Sequence, residues 1–130
     1  MELRDFELEI IEGFITQGRR FPRVGVWIRG HLTDVGRDYI YGMWKRYIEF
    51  VEKANKKGAK IQRVSYRQFR IYVWFLKKLG LIRVVRHRRA RDQVKGAPRA
   101  YVELVPEKID DPAWFNPIRA WEERKHGFRS

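Results

Sequence analysis

The sequence predicts an α+β fold that is mainly helical, and three observations support this prediction. Apolar residues recur at spacings of three and four near residues 2–17, 38–57 and 65–79, which is the pattern of amphipathic helices. Two short runs rich in β-branched residues follow, at 81–85 and 101–105, as expected for strands. The chain has 130 residues, of which 44% are hydrophobic, enough for one packed domain.

The first helix is predicted from Glu2 to about Gln17, with Gly18 placed to end it. Its apolar stripe consists of Leu3, Phe6, Ile10 and Phe14. Apolar and other residues then alternate at Val24, Val26 and Ile28. Since a period of two is typical of strands, we expect an extended segment there.

The second helix is predicted to begin after Asp38, as N-cap, and to end near Lys57, with Gly58 as the residue that follows it. Its apolar face would contain Ile40, Trp44, Tyr47, Ile48 and Val51. We interpret the aromatic residues of this region as core or as a dimer surface: Tyr39, Tyr41, Trp44 and Tyr47.

A third helix has the clearest local signals. Ser65 followed three residues later by Gln68 predicts a capping box and a helix that begins at Tyr66, and Gly80 would end it. The inward stripe is Phe69, Val73, Leu76 and Leu79, and the other face carries Arg67, Arg70, Trp74, Lys77 and Lys78. For Trp74, packing is favoured over stacking on a base.

The two strands would form a hairpin with a long basic tip. The residues after the hairpin would form a separate C-terminal segment. We predict a domain at residues 1–105 and a C-terminal extension at 106–130, with Asn116 capping a short helix that runs to about Lys125. The extension is rich in aromatic residues: Trp114, Phe115, Trp121 and Phe128. They would pack on the domain or on a two-fold partner, and both arrangements remain open.

The positive charge is large and concentrated. The formal net charge is +13, and residues 60–99 contain thirteen Lys and Arg against a single acidic residue, Asp92, a local balance of +12. A diffuse excess of positive charge could reflect solubility or adaptation to high temperature. The high charged fraction and the lack of Cys are also typical of proteins adapted to high temperature. The concentrated excess instead indicates a polyanionic partner.

Several classes of function are disfavoured. The absence of cysteine removes disulfides and thiolate metal sites, and the histidines, His31, His87 and His126, have no ligand spacing. The glycines fit no phosphate-binding loop. We therefore expect no enzymatic activity, metal or cofactor. The longest apolar run, 71–76, is too short to span a bilayer, and no export signal is visible, so we expect a cytoplasmic protein.

Residues 65–85, SYRQFRIYVWFLKKLGLIRVV, resemble the recognition helix and first wing strand of the winged helix-turn-helix family, particularly of its small archaeal members. The resemblance implies double-stranded DNA binding and a role in regulating transcription. It implies contacts to base edges from the start of the helix, by Arg63, Ser65, Tyr66, Arg67, Gln68 and Arg70. It implies contacts to phosphates or the minor groove from the two-stranded basic wing, by Arg86, Arg88, Arg89, Arg91, Lys95 and Arg99.

Two questions stay open at this level. The helix at 39–57 could be the second helix of the motif, or the first with an abbreviated second helix at 60–64. The partner could also be different: an RNA-binding or ribosome-associated module would use the same charge, and so would a domain that binds an acidic protein. Neither the oligomeric state, with a homodimer as one option, nor a preferred DNA sequence follows from the residues.

Overall fold

The computed structural model describes residues 3–17, 23–86, 100–115 and 117–127. In chain order its elements are α1 (Asp5–Gln17), α2 (Arg23–Val35), β1 (Arg37–Tyr39), α3 (Ile40–Lys56), α4 (Tyr66–Lys78), β2 (Ile82–Arg86), β3 (Ala100–Leu104) and α5 (Pro117–Gly127). Two short 3-10 helices, Pro106–Lys108 and Pro112–Trp114, lie between β3 and α5. The fold is α+β and mainly helical, which confirms the predicted class.

The three strands form one antiparallel sheet in the order β1-β3-β2. β2 and β3 form the predicted hairpin, in a register that pairs Ile82 with Leu104 and Arg86 with Ala100. β1 pairs with the other edge of β3, Arg37 opposite Glu103. The sequence analysis did not predict β1, which is three residues long and therefore too short to show a period of two.

The hydrophobic core lies between the helices and one face of the sheet. Its fully buried large side chains include Trp27, Tyr47, Phe50, Phe69, Leu76 and Leu81. Trp114, from the C-terminal extension, is also fully buried, and its indole Nε1 donates a hydrogen bond to the carbonyl of Lys108 at 2.9 Å. The extension therefore contributes one of the largest side chains of the core.

The predicted extended segment at 24–28 is helical instead. Val24, Trp27, Ile28 and Leu32 are all buried, and they recur at spacings of three, one and four, so a helical stripe explains them better than the alternation. Gly30 is also required by packing, because a Cβ atom there would collide with the ring of Phe6 from α1. Gly30 thus marks a close contact between α1 and α2.

Asp38 does not cap a helix, contrary to the prediction. It lies in β1, and α3 begins after Tyr39, whose side chain makes no capping bond. One carboxylate oxygen of Asp38 is instead 2.8 Å from Nε2 of the fully buried His31. Nδ1 of His31 lies 2.9 Å from Nη1 of Arg4; because a guanidinium can only donate, Nε2 carries the proton that is donated to Asp38.

Glu7 of α1 is buried, although it is not one of the residues of the predicted apolar stripe. Its carboxylate accepts hydrogen bonds from the indole of Trp27 at 2.8 Å and from the guanidinium of Arg4 at 3.3 Å. A buried carboxylate is tolerated when it is paired and hydrogen-bonded in this way. Together with His31 and Asp38, these contacts fasten α1 to α2 and β1.

The connection between α3 and α4 contains no helix, so the alternative of an abbreviated helix at 60–64 is wrong. Gly58 has a φ of 100°, the left-handed conformation that ends α3. The side chain of Asn55 then holds Ile61, accepting from its N–H at 2.8 Å and donating to its carbonyl at 3.0 Å. α3 and α4 are therefore consecutive helices joined by a fixed extended segment.

Within the described ranges, no helix combines the length and the apolar character needed to cross a membrane.

Candidate nucleic-acid interface

The start of α4 is held at a defined position. The hydroxyl of Ser65 accepts a hydrogen bond from the backbone N–H of Gln68 at 3.1 Å, and Oε1 of Gln68 accepts one from the N–H of Ser65 at 3.0 Å. The predicted capping box is thus confirmed. One residue earlier, the carbonyl of Val64 accepts from the indole of Trp44 at 3.0 Å. The first turn of α4 is therefore tied both to itself and to α3.

The two faces of α4 differ as the sequence predicted. Phe69, Val73 and Leu76 are buried, so the opposite face of the helix points to solvent. The residues predicted to contact bases lie at its start: Arg63, Ser65, Arg67, Gln68 and Arg70 are exposed, and Tyr66 is half-buried. The structure brings this predicted set together around the first two turns of α4.

The outward face of α4 has two parts. We call residues 67–71 the open half, since Arg67, Gln68, Arg70 and Ile71 are all exposed there. The covered half consists of Trp74, Phe75 and Lys78, which contact α5, although Trp74 keeps 44% exposure and Lys78 is exposed as well. Trp121 of α5 lies edge-on to Trp74 at 5.6 Å between ring centroids and to Phe75 at 6.3 Å. Trp74 thus packs against a ring of the extension, and part of its surface stays exposed.

A hydrogen bond strengthens this cover. The guanidinium of Arg124, on α5, donates to the carbonyl of Lys78 at 2.7 Å, and the ammonium of Lys78 lies over the Trp74 ring at 5.7 Å from its centroid. A cation near the last carbonyls of a helix is favourable because they carry the negative end of its dipole. The end of α4 is therefore used for contacts within the chain.

The cations of the open half are free of carboxylate partners within the described part of the chain: neither Arg67 nor Arg70 forms an ion pair there. Arg63 differs, because it lies 3.7 Å from the carboxylate of Glu52. Both side chains of that pair are more than half exposed, so the pair is weak and easily exchanged for another anion.

Gln68 has a double use. Its Oε1 atom is engaged in the capping box. A bidentate contact to adenine would need that same oxygen as acceptor together with the amide group as donor. The adenine contact suggested by the sequence therefore competes with the cap that starts the helix.

An aromatic cluster extends the open half toward α3. The rings of Tyr41, Trp44 and Tyr66 lie 5.3 to 5.7 Å apart. The ammonium of Lys45 lies 5.7 Å from the centroid of Tyr41, and the guanidinium of Arg70 lies 5.3 Å from that of Tyr66. Sequence reasoning placed Tyr41 and Trp44 in the core or a dimer surface and Tyr66 at the DNA interface; Tyr41 is 47% exposed, so it does not belong to the core.

This cluster was missed because no local pattern joins its members. Tyr41 and Lys45 belong to α3, whereas Tyr66 and Arg70 belong to α4. In each helix the cation follows the tyrosine by four residues, the spacing of neighbours on one helix face. That repeated Tyr-x-x-x-cation spacing is the signal that could have found the cluster.

Two arginines of the sheet, Arg37 and Arg83, share one carboxylate. Glu103 of β3 accepts from Arg83 of β2 at 2.6 Å and from Arg37 of β1 at 3.1 Å. The hydrogen bond from Arg83, followed by the charges of Arg83 and Arg37, lowers the pKa of Glu103 below its ordinary value, against a smaller opposing effect of burial. These two arginines therefore contribute less to the positive field than the sequence count suggests.

Most of the predicted wing lies outside the described residues. The backbone of Arg86 ends β2 opposite Ala100, whereas Arg88, Arg89, Arg91, Lys95 and Arg99 fall in 87–99. Among the described residues, no group of three or more His, Asp or Glu side chains is arranged to hold a metal ion. Comparison of the chain with protein-family models, curated proteins and solved structures gave no match.

Proposed function

We propose that the protein binds double-stranded DNA through the open half of α4 and acts as a transcriptional regulator with a winged helix-turn-helix architecture. The observation that carries the proposal is the pair of exposed cations, Arg67 and Arg70, which have no carboxylate partner among the described residues. They lie at the start of a helix whose register a capping box fixes. An α-helix fits the major groove, and residues near its start reach base edges first.

The succession of elements also supports the proposal. From α2 onward the order is α2, β1, α3, α4, β2, β3, with two consecutive helices followed by a hairpin. The same succession of a helix, a short strand, two helices and a hairpin is typical of winged helix-turn-helix proteins. In such an arrangement residues 87–99, which carry five of the thirteen cations of 60–99, would follow the phosphate backbone beside the groove.

The aromatic cluster would set the position of the helix on the duplex. Lys45 and Arg70 lie at its two ends, over Tyr41 and Tyr66, so that α3 and α4 would contact phosphates on the same side of the protein. Such contacts fix orientation and register without reading sequence. Base reading is then the task of Arg67 and its neighbours on the open half.

A second candidate is RNA with unpaired bases, favoured by one observation. The half-exposed ring of Tyr41 beside Lys45 has the composition of a base-stacking platform, since exposed aromatics flanked by cations bind single strands. The open half favours the duplex instead, because a helix cannot enter the deep and narrow major groove of A-form RNA.

A competition experiment distinguishes the two candidates. A labelled DNA duplex of about two helical turns is bound near physiological salt and displaced by unlabelled duplex or by a folded RNA hairpin of equal length. We expect the duplex to compete at least tenfold better. Equal or better competition by the hairpin would replace the proposal with the RNA candidate.

A further inference from the structure

Ile71 is an exposed apolar side chain in the middle of the open half. It retains 47% exposure and follows Arg67 by four residues, so the two side chains are neighbours on one helix face. A single exposed apolar residue on a protein surface is ordinary. Its significance comes from the side chains around it.

Ile71 is accessible from the side of Gln68 and of the segment that precedes α4. It lines a groove of about 310 Å³ whose wall includes Arg63 and Gln68. Trp74, the next residue along the same stripe, is in contact with Trp121. The open half therefore presents one apolar group among cations and an amide.

The engagement of Gln68 limits which bases this surface can distinguish. Its oxygen serves the capping box, so Arg67 and Ile71 are the side chains of the open half that remain free to face base edges. Arginine selects guanine through two acceptors. An isoleucine side chain has no hydrogen-bond donor or acceptor. Against a polar base edge it would displace water and leave the base atoms without hydrogen-bond partners, which is unfavourable.

We propose that Ile71 is a specificity-determining residue that contacts the 5-methyl group of thymine. This inference rests on the proposed binding of duplex DNA. The thymine methyl is the apolar group that the major groove exposes, and apolar side chains read it. Side chains four apart on a helix are about 5 to 6 Å apart, and base pairs about 3.4 Å. The thymine would therefore lie one or two base pairs from the guanine contacted by Arg67.

The test removes that methyl group and nothing else. A preferred duplex is enriched from a randomised pool, and each thymine of its core is replaced in turn by deoxyuridine. For the parent protein we expect one replacement in each half-site to weaken binding about fourfold, the worth of one buried methyl group. Ile71→Ala should bind the thymine and the uridine duplexes equally.

A matched control uses Val35→Ala. Val35 is also β-branched and 43% exposed, and it lies at the end of α2. This variant should keep the fourfold preference for thymine. Melting temperatures of both variants show whether each is folded, and the uridine series on the parent protein does not depend on any substitution.

The outcomes separate this inference from the function on which it rests. If the parent binds duplex DNA but is indifferent to every uridine, if the enriched core lacks thymine, or if Ile71→Ala keeps the preference, Ile71 does not read the methyl group while duplex binding stands. If the parent binds no duplex at any salt concentration, both proposals fail together.

Discussion

The two halves of the outward face of α4 are built from similar residues and have different surroundings. The open half combines Arg67 and Arg70 with Ile71, and the covered half combines Lys78 with Trp74 and Phe75. The covered half receives Trp121 and Arg124 from α5. No described element does the same for the cations of the open half. Lys78 and Trp74 remain exposed, so the two halves differ in their contacts with α5 and not in their access to solvent.

The comparison shows that composition does not assign a role to a helix face. Cations interleaved with apolar rings occur in both halves, and the spacing of three and four runs through them without a break. The difference arises from α5, which begins 39 residues after the last residue of α4. A contact at that sequence distance leaves no mark in the local pattern.

The largest expected effect comes from substituting the open half. Arg67→Ala should cost about 1 to 3 kcal/mol of binding free energy on a preferred duplex, and little on random DNA, because a bidentate contact to guanine is lost. Titration of both duplexes by fluorescence anisotropy measures the difference. Equal losses on the two would mean that the open half binds backbone and does not read bases.

Lys78→Ala is the matched substitution in the covered half. Lys78 follows Arg67 by eleven residues, about three helical turns, and so lies on the same side of α4. It should weaken both duplexes alike and by less than about 1 kcal/mol, the contribution of one distant charge. A larger, sequence-dependent loss at Lys78 than at Arg67 would reverse the assignment of the two halves.

The next effect concerns the contact of α5 with the covered half of α4. Trp121→Ala removes the ring that contacts Trp74 and Phe75, and we expect a loss of about 1 to 2 kcal/mol in the free energy of unfolding. Duplex affinity should be unchanged. Thermal or urea unfolding, with solution mass measured in parallel, provides the check. A change in mass without loss of stability would show that the ring belongs to an interface between copies of the chain.

The smallest effect concerns Glu103 and the two arginines paired with it, Arg37 and Arg83. The pKa of Glu103 is lowered in the folded protein, so its ionised form contributes stability above the unfolded pKa, about 4.5, and that contribution is lost as pH falls through the lower folded value. Glu103→Gln should therefore have a lower Tm than the parent near pH 7, and the two Tm values should converge as the pH falls below the lowered pKa of Glu103. Parallel Tm curves across that range would contradict the proposed contribution of Glu103.

The sequence predicted α4 well because its signals are local. The capping box, the inward stripe and Gly80 all lie within sixteen residues, and each fixes backbone conformation by itself. α2 was misassigned because Val24, Val26 and Ile28 alternate as in a strand, and the reason for Gly30 lies in α1. β1 depends on pairing with β3, more than sixty residues away.

The candidate site was predictable to a similar extent. Arg67 and Arg70 follow from helical spacing and from the concentration of charge. The engagement of Gln68 could have been deduced as well, since the same pattern that predicts the capping box uses its side chain. The aromatic cluster between α3 and α4, the pairing of Arg83 with Glu103 and the cover by α5 require tertiary structure.

The salt dependence of duplex affinity tests the central claim most directly. Binding of a labelled duplex is measured from about 50 to 200 mM monovalent salt. The account predicts a linear fall of the logarithm of the association constant with the logarithm of salt concentration, with a slope for about 6 to 10 phosphate contacts in a dimer or about half as many in a monomer. A flat dependence would contradict binding of a nucleic acid by this surface.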